Sequence, residues 1–304
     1  MENKGKAIVA LWGAVILWAS SFIVLKIAFA HFDPMVVIFG RMLIASLCFL
    51  TVFKRLNHID YRPGDWKRLL IMGVCEPGLY FVFEAMALTY TDASQAGMIC
   101  ALLPLMVAVV ARFTLGEHIT KRTMSGFMLA IVGAVLLSAT ASATETASNP
   151  ALGNFLEFLA MVCATGYIIT LKGLTPRYGS WFLTMIQAFV GSLFYLPLLF
   201  LPSTQLPTAL NLPGVLSVLY LGVFVTIGAY GLYNWGMSVT SASQASAFIN
   251  LIPVITLIMG WLFLDERLNI LQYAASAIVI AGVYLSQGKS KHTGSGKQPV
   301  KDLT

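Results

Sequence analysis

Apolar residues fall into ten long blocks along the chain, and polar residues are concentrated in the short stretches between them. Each block is close to the roughly 20 residues that an α-helix needs to cross the hydrocarbon core of a bilayer. The pattern therefore predicts an all-α integral membrane protein with ten transmembrane helices. The blocks are residues 7–30, 34–53, 69–90, 93–114, 123–140, 151–172, 178–201, 213–237, 242–264 and 270–287.

The second half of the chain repeats the first. The segments TDASQAG, from Thr91, and TSASQAS, from Thr240, begin an alignment without a gap at an offset of 149 residues. Further upstream an offset of 146 pairs Arg41 with Gln187. The repeat divides the chain into a first five-span unit (1–140), a linker (141–150), a second five-span unit (151–287) and a polar, Lys-rich tail (288–304) that we expect to be disordered.

The odd number of spans in each unit has a topological consequence. The second unit must enter the membrane from the side opposite to the first, so the two units are inverted with respect to each other. Inverted repeats are typical of alternating-access transporters, whose substrate site lies at the repeat interface near the midplane. A membrane enzyme or a receptor has no general need for this symmetry.

Composition and charge agree with a membrane protein. Of the 304 residues 58% are hydrophobic and 11% are charged, against about 25% charged residues in soluble domains. The net charge of +6 does not indicate nucleic-acid binding, because Lys and Arg follow the positive-inside rule when both termini are cytoplasmic. Only Lys26, Arg41 and Arg267 then lie within spans or outside the cell.

Signals for bound cofactors and for catalysis are lacking. The four cysteines (Cys48, Cys75, Cys100, Cys163) are dispersed in apolar blocks, and the histidines fall in connections or in the tail. Neither set has the spacing of a metal site or a nucleophile–base pair. No Gly-x-x-x-x-Gly-Lys-Ser/Thr loop is present, which argues against ATP-driven pumping by this chain. We therefore expect no cofactor, no metal and no enzymatic activity; a membrane-embedded enzyme is a distant alternative.

At this point the chain resembles the EamA family of the drug/metabolite transporter superfamily over residues 7 to about 287. The features that carry the resemblance are the ten spans, Arg41 seven residues after Pro34, and a doubled Leu-x-Pro…Glu…Gly block. The resemblance implies a helical basket whose central cavity is lined by spans 1–4 and 6–9, with spans 5 and 10 to one side. Bacterial members are mostly exporters of the inner membrane, and family substrates range from amino acids to sugars, purines and drugs. The doubled block comprises Leu102, Pro104, Glu117, Gly133 and Leu251, Pro253, Glu266, Gly282.

Arg41 and Glu84 are ionisable residues within spans that have no charged counterpart in the other repeat. Glu157 is a third ionisable residue at a similar depth. Arg41, Glu84 and Glu157 are each six or seven residues from the same side of the membrane, which is a depth of about 10 Å at 1.5 Å per residue. A charge inside a span costs about 2.5–3.5 kcal/mol on insertion scales, so it normally faces protein or water and has a partner. We expect Arg41 and Glu84 to pair across the cavity, in a cluster that binds substrate or, alternatively, only ties helices together.

The segment Val74–Glu84 of the third span combines two carboxylates with Pro77 and Gly78. Glu76, Tyr80 and Glu84 are spaced at i, i+4 and i+8, which places them on one helix face. We expect this face to line the cavity, with Glu76 or Glu84 as a proton-coupling site or gate; passive facilitated export is the alternative. Pro77, Gly78, Pro104 and Pro253 are the predicted helix hinges, because a proline inside a helix removes a backbone hydrogen bond.

Aromatic residues supply the remaining candidates for substrate contact. Trp18, Tyr80, Tyr233 and Trp235 are predicted to join Arg41, Glu84 and Glu157 in the binding site. Such a set suits a small zwitterion such as an amino acid, with Arg41 on the carboxylate and Glu84 on the amine. The alternative substrates are cationic aromatic compounds, held by Glu84 and the rings. The expected partners are thus a small molecule and the lipid bilayer, not nucleic acid, and a monomer is compatible with the sequence.

Polar residues that occur in both repeats have a simpler explanation. Glu117 and Glu266 end spans 4 and 9, where we expect them to cap or pair with connecting segments. Lys26 and Lys172 each end the first span of a unit, where a lysine can extend its ammonium group to the membrane surface.

Overall fold

The computed structural model describes residues 2–52, 61–114 and 120–286. These residues form ten helices, one for each apolar block, so the predicted all-α architecture is confirmed. Nine of the described helices are long and apolar enough to cross a membrane, and the last, Ile270–Leu285, is a shorter apolar helix. Glu117 and the predicted tail lie outside the described residues. We number the helices α1 (Glu2–Phe29), α2 (Pro34–Val52), α3 (Asp65–Tyr90), α4 (Ala93–Thr114), α5 (Lys121–Ala139), α6 (Pro150–Leu174), α7 (Ser180–Phe200), α8 (Leu212–Val239), α9 (Ala242–Leu264) and α10 (Ile270–Ser286).

The helices are antiparallel in sequence order, so the bundle has two distinct faces. We call the face where α1 begins the terminal face, and the opposite face, which carries the connection 141–149, the linker face. That connection is held in place by its own polar contacts. Asn149 donates its backbone N–H to Tyr90 O (3.1 Å) and caps α6 through Leu152 N (3.2 Å), while Lys26 Nζ donates to Thr146 O (2.9 Å).

The two halves are interleaved rather than side by side. Helix α1 packs against α8 and α9, α6 packs against α3 and α4, and α2 packs against α7. The largest buried cluster of apolar side chains therefore lies between the halves and includes residues of both, among them Phe22, Met42, Met161 and Met185. A cavity in this core is necessarily built by both repeats.

Helices α5 and α10 pack closely against each other at two glycines. A Cβ atom on Gly133 would lie 2.7 Å from Val279 N, and one on Gly282 would lie 2.5 Å from Ala130 N. The two glycines are equivalent positions of the repeat, so each half supplies one point of closest backbone approach. Small residues at such contacts are how membrane helices pack tightly without polar bonds.

Helical geometry changes in the middle of four helices, at equivalent places in the two halves. In α4 and α9 a 3₁₀ turn, Cys100–Leu102 and Phe248–Leu251, comes just before Pro104 and Pro253. In α3 and α8 the wider segments Val74–Leu79 and Leu221–Ala229 interrupt the regular α-helix. Pro77 and Gly78 thus lie within irregular backbone, whereas Pro104 and Pro253 each lie two residues after it; hinge motion at these positions stays a prediction.

Candidate functional site

The break in α3 creates the first element of the site. Glu76 has extended backbone angles (φ −151°, ψ 116°), and Pro77 has no N–H to donate. Two side chains of α7 bond the backbone at the break, because Gln187 Nε2 donates to Glu76 O (3.1 Å) and the Tyr195 hydroxyl donates to Gly78 O (2.6 Å). The break is thus held by the second half of the molecule and aims the Glu76 side chain inward.

A small cavity lies beside this break, between the helices of the bundle. It has a volume of about 40 Å³ and is lined by residues of α1, α2, α3, α4, α6, α8 and α9. One water molecule needs roughly 10–15 Å³, so a metabolite can enter only if the walls move. Helix α7 contributes no lining residue, in contrast to what the family resemblance implies, because its polar side chains support α3 from behind. The polar and aromatic lining comprises Trp18, Ser21, Phe22, Arg41, Glu76, Tyr80, Phe81, Glu84, Cys100, Tyr167 and Tyr230.

Arg41 is almost completely buried, at 1% exposure. Its Nε donates to Thr226 Oγ1 (2.9 Å), and its Cζ lies 4.4 Å from the centroid of the Phe81 ring. The two terminal nitrogens, Nη1 and Nη2, have no hydrogen-bond partner among the described residues. A buried guanidinium with unmet donors is costly, so these two nitrogens are the strongest sign of a ligand in the cavity.

The expected pairing of Arg41 with Glu84 is not formed. Among the described residues, the Glu84 carboxylate makes no hydrogen bond to the Arg41 guanidinium. Glu84 Oε1 instead accepts from the Tyr80 hydroxyl (2.8 Å), and Oε2 has no partner in the described structure. Both residues nevertheless line the same cavity. The prediction of direct contact was wrong because depth alone does not fix direction: Arg41 is turned toward Thr226 of α8 by a hydrogen bond that the sequence does not reveal.

The other predicted carboxylates have different surroundings. Glu76 lines the cavity and accepts from the Tyr230 hydroxyl. Glu157 is fully buried one layer behind the wall, where its Oε1 accepts from Cys100 Sγ (3.6 Å) and its Oε2 has no partner in the described structure. The predicted stripe Glu76–Tyr80–Glu84 does face the cavity, although the break in α3 means that the three do not follow one regular helix.

Aromatic rings of α1 and α8 form part of the cavity wall. Trp18 packs edge-on against Tyr230 (5.1 Å between centroids) and in a tilted arrangement against Tyr233 (4.7 Å). The indole N–H of Trp18 and the hydroxyl of Tyr233 are buried and have no partner in the described part of the chain. Tyr233 is thus one layer from the cavity, whereas Trp235 is only half-buried and does not line it. The structure does not bring Trp235 to the predicted site.

A buried hydrogen-bond network extends from the cavity through side chains of α6, α7 and α8. Tyr167, a lining residue, donates to Asn234 Oδ1, and Asn234 Nδ2 donates to Gln187 Oε1 (3.0 Å) and Thr184 Oγ1 (2.9 Å). Gln187 in turn donates to the backbone of Glu76. The sequence interpretation missed Asn234 and Tyr195; a search for polar residues within apolar blocks would have found Asn234.

The residues shared by both repeats have structural roles where they are described. Glu266 caps the start of α4 by accepting from Ala93 N (2.9 Å), Ser94 N (2.9 Å) and Ser94 Oγ (2.6 Å), as predicted. Lys172 donates to Met237 O (3.0 Å) and to Thr240 O at the end of α8. Both side chains fix helix ends and lie away from the cavity.

Comparison with known proteins gives a consistent result across the chain. The family model of the EamA-like transporter family matches residues 5–139 and 151–287. An Archaeoglobus fulgidus protein named an uncharacterized transporter is 25% identical over 290 residues, which is 95% of this chain and 99% of that protein. A probable terminal-alkyne amino-acid exporter of Streptantibioticus cattleyicolor is 26% identical over 282 residues, 92% of this chain and 93% of its own.

The fold is also similar to that of a solved structure. A crystal structure with 18% sequence identity superposes with a TM-score of 0.65, covering 93% of this chain and 96% of its own. The likeness supports the two-repeat helical architecture.

Proposed function

Because this chain belongs to the EamA-like transporter family, we propose that it exports small zwitterionic metabolites, amino acids above all, by alternating access. In this proposal it resides in the cell (inner) membrane with the terminal face toward the cytoplasm. The distribution of Lys and Arg supports that orientation. A single chain contains the whole cavity, so we take the monomer as the transporting unit.

One observation carries the substrate class. Arg41 Nη1 and Nη2 and the Glu84 Oε2 atom are buried, lack partners among the described residues, and belong to residues that line one cavity. Two parallel N–H donors match the two oxygens of a carboxylate, and an unpaired carboxylate oxygen matches an ammonium group. A molecule that carries both groups would satisfy both sides at once.

The rest of the wall supports an apolar substituent. The lining includes Leu103, Met161, Ile168, Ile249 and Ile252, which offer only apolar surface. A relative over almost the whole chain is named a probable amino-acid exporter. Both observations favour amino acids with apolar side chains over sugars or nucleotides, which would need many polar partners.

The cavity position suits alternating access. It lies between interleaved halves and is lined by both, and the irregular segments of α3 and α8 flank it at equivalent places. Rocking of one half against the other around such a site would expose it to each side in turn.

Transport by purified protein in proteoliposomes tests this proposal. Counterflow of labelled amino acids is expected for the native protein, with strong loss in Arg41→Gln and in Glu84→Gln. The matched control is Arg267→Gln, because Arg267 is an exposed arginine on the linker face. Amino-acid counterflow that is unchanged in Arg41→Gln would contradict a carboxylate-binding role for Arg41.

A second candidate is efflux of cationic aromatic compounds. It is favoured by the excess of acidic over basic groups around the cavity and by the rings of Trp18, Phe81 and Tyr230. The same variants separate the two functions. Cation efflux should depend on Glu84 and be insensitive to Arg41→Gln, whereas zwitterion export should require both residues.

A further inference from the structure

We propose that Thr226 is a positioning residue for substrate recognition: its hydroxyl fixes Arg41 so that Nη1 and Nη2 together face the substrate carboxylate. The inference rests on the proposed function, in which Arg41 binds that carboxylate. It assigns a role in specificity to a residue of α8, in the half of the molecule opposite to Arg41.

The Thr226 hydroxyl makes two hydrogen bonds, one as donor and one as acceptor. The hydroxyl proton is donated to Leu221 O (2.9 Å), five residues earlier in the same helix, and the oxygen accepts from Arg41 Nε (2.9 Å). A hydroxyl has one proton, so the bond to Leu221 directs a lone pair toward Arg41. Thr226 is buried, at 3% exposure, and water is therefore a poor substitute for either bond.

The wide turn of α8 makes this arrangement possible. Thr226 lies within the π-helical segment Leu221–Ala229, where a five-residue spacing matches the hydrogen bond from its hydroxyl to Leu221 O. Stretches of π-helical geometry inside α-helices occur frequently at functional sites.

Two constraints together fix the guanidinium. Thr226 holds Nε, and the Phe81 ring lies 4.4 Å from Cζ and restricts the tilt of the guanidinium plane. Because Nε is bonded to Thr226, the free donors of Arg41 are the N–H groups of Nη1 and Nη2. One N–H from each nitrogen points away from the side chain, and these two are parallel. A carboxylate is then bound in one orientation without rearrangement of the arginine.

The repeat supports a specific role for this contact. Thr226 is the equivalent of Pro77 at the offset of 149, and Gln187 is the equivalent of Arg41 at the offset of 146. Gln187 donates to the backbone of Glu76, next to Pro77. In both halves, then, a polar residue of the second helix contacts the irregular segment of the opposite half, but only in one half is that residue a cation with free donors.

The test compares ligands with and without a carboxylate. The protein amino acids are screened for thermal stabilisation of the detergent-purified protein, and the most stabilising one is titrated alongside its decarboxylated amine. Thr226→Val keeps the shape of the side chain and removes the hydroxyl; Thr226→Ser keeps the hydroxyl. The matched control is Thr165→Val, because Thr165 is a buried threonine whose hydroxyl donates only to Met161 O of its own helix (2.8 Å).

A positioning role has a distinctive signature. We expect Thr226→Val to weaken amino-acid binding about ten-fold or more, the size of a lost hydrogen bond to a charged group, and to leave amine binding within about two-fold. Thr226→Ser and Thr165→Val should bind both ligands like the native protein. Equal weakening of amine and amino acid by Thr226→Val would indicate a merely structural role and overturn the inference.

The failure of this inference can be told apart from failure of the proposed function. If Arg41→Gln weakens amino-acid binding but Thr226→Val does not, only the positioning role is wrong. If no amino acid stabilises the native protein, or if Arg41→Gln binds amino acids normally, the carboxylate-binding function fails, and the role of Thr226 fails with it.

Discussion

The Cζ atom of Arg41 lies 4.4 Å from the centroid of the Phe81 ring, so a guanidinium from α2 rests on an aromatic side chain of α3. Both residues line the central cavity. A planar, delocalised cation stacks on a ring and still presents a fork of donors, which an ammonium group cannot do. The contact therefore depends on arginine in particular and not on positive charge alone.

We expect Arg41→Lys to behave almost like Arg41→Gln in substrate binding. Lysine retains the charge but loses the two-pronged contact and the stacking on Phe81, and one charge-assisted hydrogen bond is worth about 1.5–3 kcal/mol. The apparent affinity for amino acids in counterflow should fall at least about ten-fold. Arg267→Lys is the control, since that arginine is exposed; normal affinity in Arg41→Lys would show that charge alone suffices.

Glu76→Gln is expected to separate substrate exchange from proton coupling. The carboxyl group of Glu76 is buried beside the cavity and accepts a hydrogen bond from Tyr230. Glutamine can keep a similar hydrogen bond but has no proton to release. Counterflow at equal pH should therefore persist in the variant, while stimulation of uptake by a pH gradient should be lost.

The native protein sets the reference for that experiment. Uptake by native proteoliposomes should increase with a pH gradient and should respond to its collapse by an ionophore. If the rate of uptake is the same with and without the pH gradient, proton coupling is excluded and facilitated export is the remaining mechanism. Glu76 would then serve only as part of the cavity wall.

The fold was largely predictable from sequence, whereas the site was predictable only in part. Apolar blocks of membrane-spanning length and the offset of 149 are enough to predict ten helices in two halves. The shared depth of Arg41 and Glu84 and the helical spacing of Glu76 and Glu84 pointed to residues that the structure places in the cavity wall; that they bind substrate stays a prediction. The direction of each side chain was not predictable, because it is set by contacts across the halves, such as those of Thr226 with Arg41 and of Gln187 with Glu76.

Residues near the edge of the site illustrate the same limit. Trp235 and Tyr233 are two positions apart, yet only Tyr233 packs against Trp18. A helix rotates by about 200° over two residues, so the two rings must point to different sides, and a choice between them needs the helix orientation. The aromatic composition of α8 alone contains no such information.

The ion pair between Asp65 and Arg177 should stabilise the terminal face. Asp65, at the start of α3, accepts from Arg177 Nη2 (2.8 Å) and from the Tyr178 hydroxyl (2.7 Å). Burial and the hydrogen bond to Asp65 raise the pKa of Tyr178 to about 12, so this donor keeps its proton at neutral pH. We expect Asp65→Asn to lower the melting temperature in detergent, because asparagine keeps an acceptor oxygen but loses the charge that pairs with Arg177.

The pair Arg267–Asp265 offers a control for that prediction. It is an ion pair within the same protein, but its side chains are 74% and 81% exposed. Exposed pairs contribute about 0–1 kcal/mol, so Asp265→Asn should hardly change the melting temperature. Equal effects of the two substitutions would mean that burial at Asp65 adds nothing.

The glycine contacts between α5 and α10 should be sensitive to a single added carbon. In Gly133→Ala the new Cβ would lie 2.7 Å from Val279 N, and in Gly282→Ala it would lie 2.5 Å from Ala130 N. Backbone atoms cannot rotate away as a side chain can, so the helices must separate. We expect each variant to lose stability by about 1–3 kcal/mol, as overpacked sites do.

Gly173→Ala is the matched control, because a Cβ on that helical glycine would meet no atom within 4 Å beyond its own helix backbone and chain neighbours. Alanine is favoured over glycine in a helix by about 0.5–1 kcal/mol, so this variant should melt at the same temperature as the native protein or slightly higher. The three melting curves, measured in one detergent, decide the matter. If Gly133→Ala and Gly282→Ala also melt normally, α5 and α10 are not held at the close distance that the two glycines define.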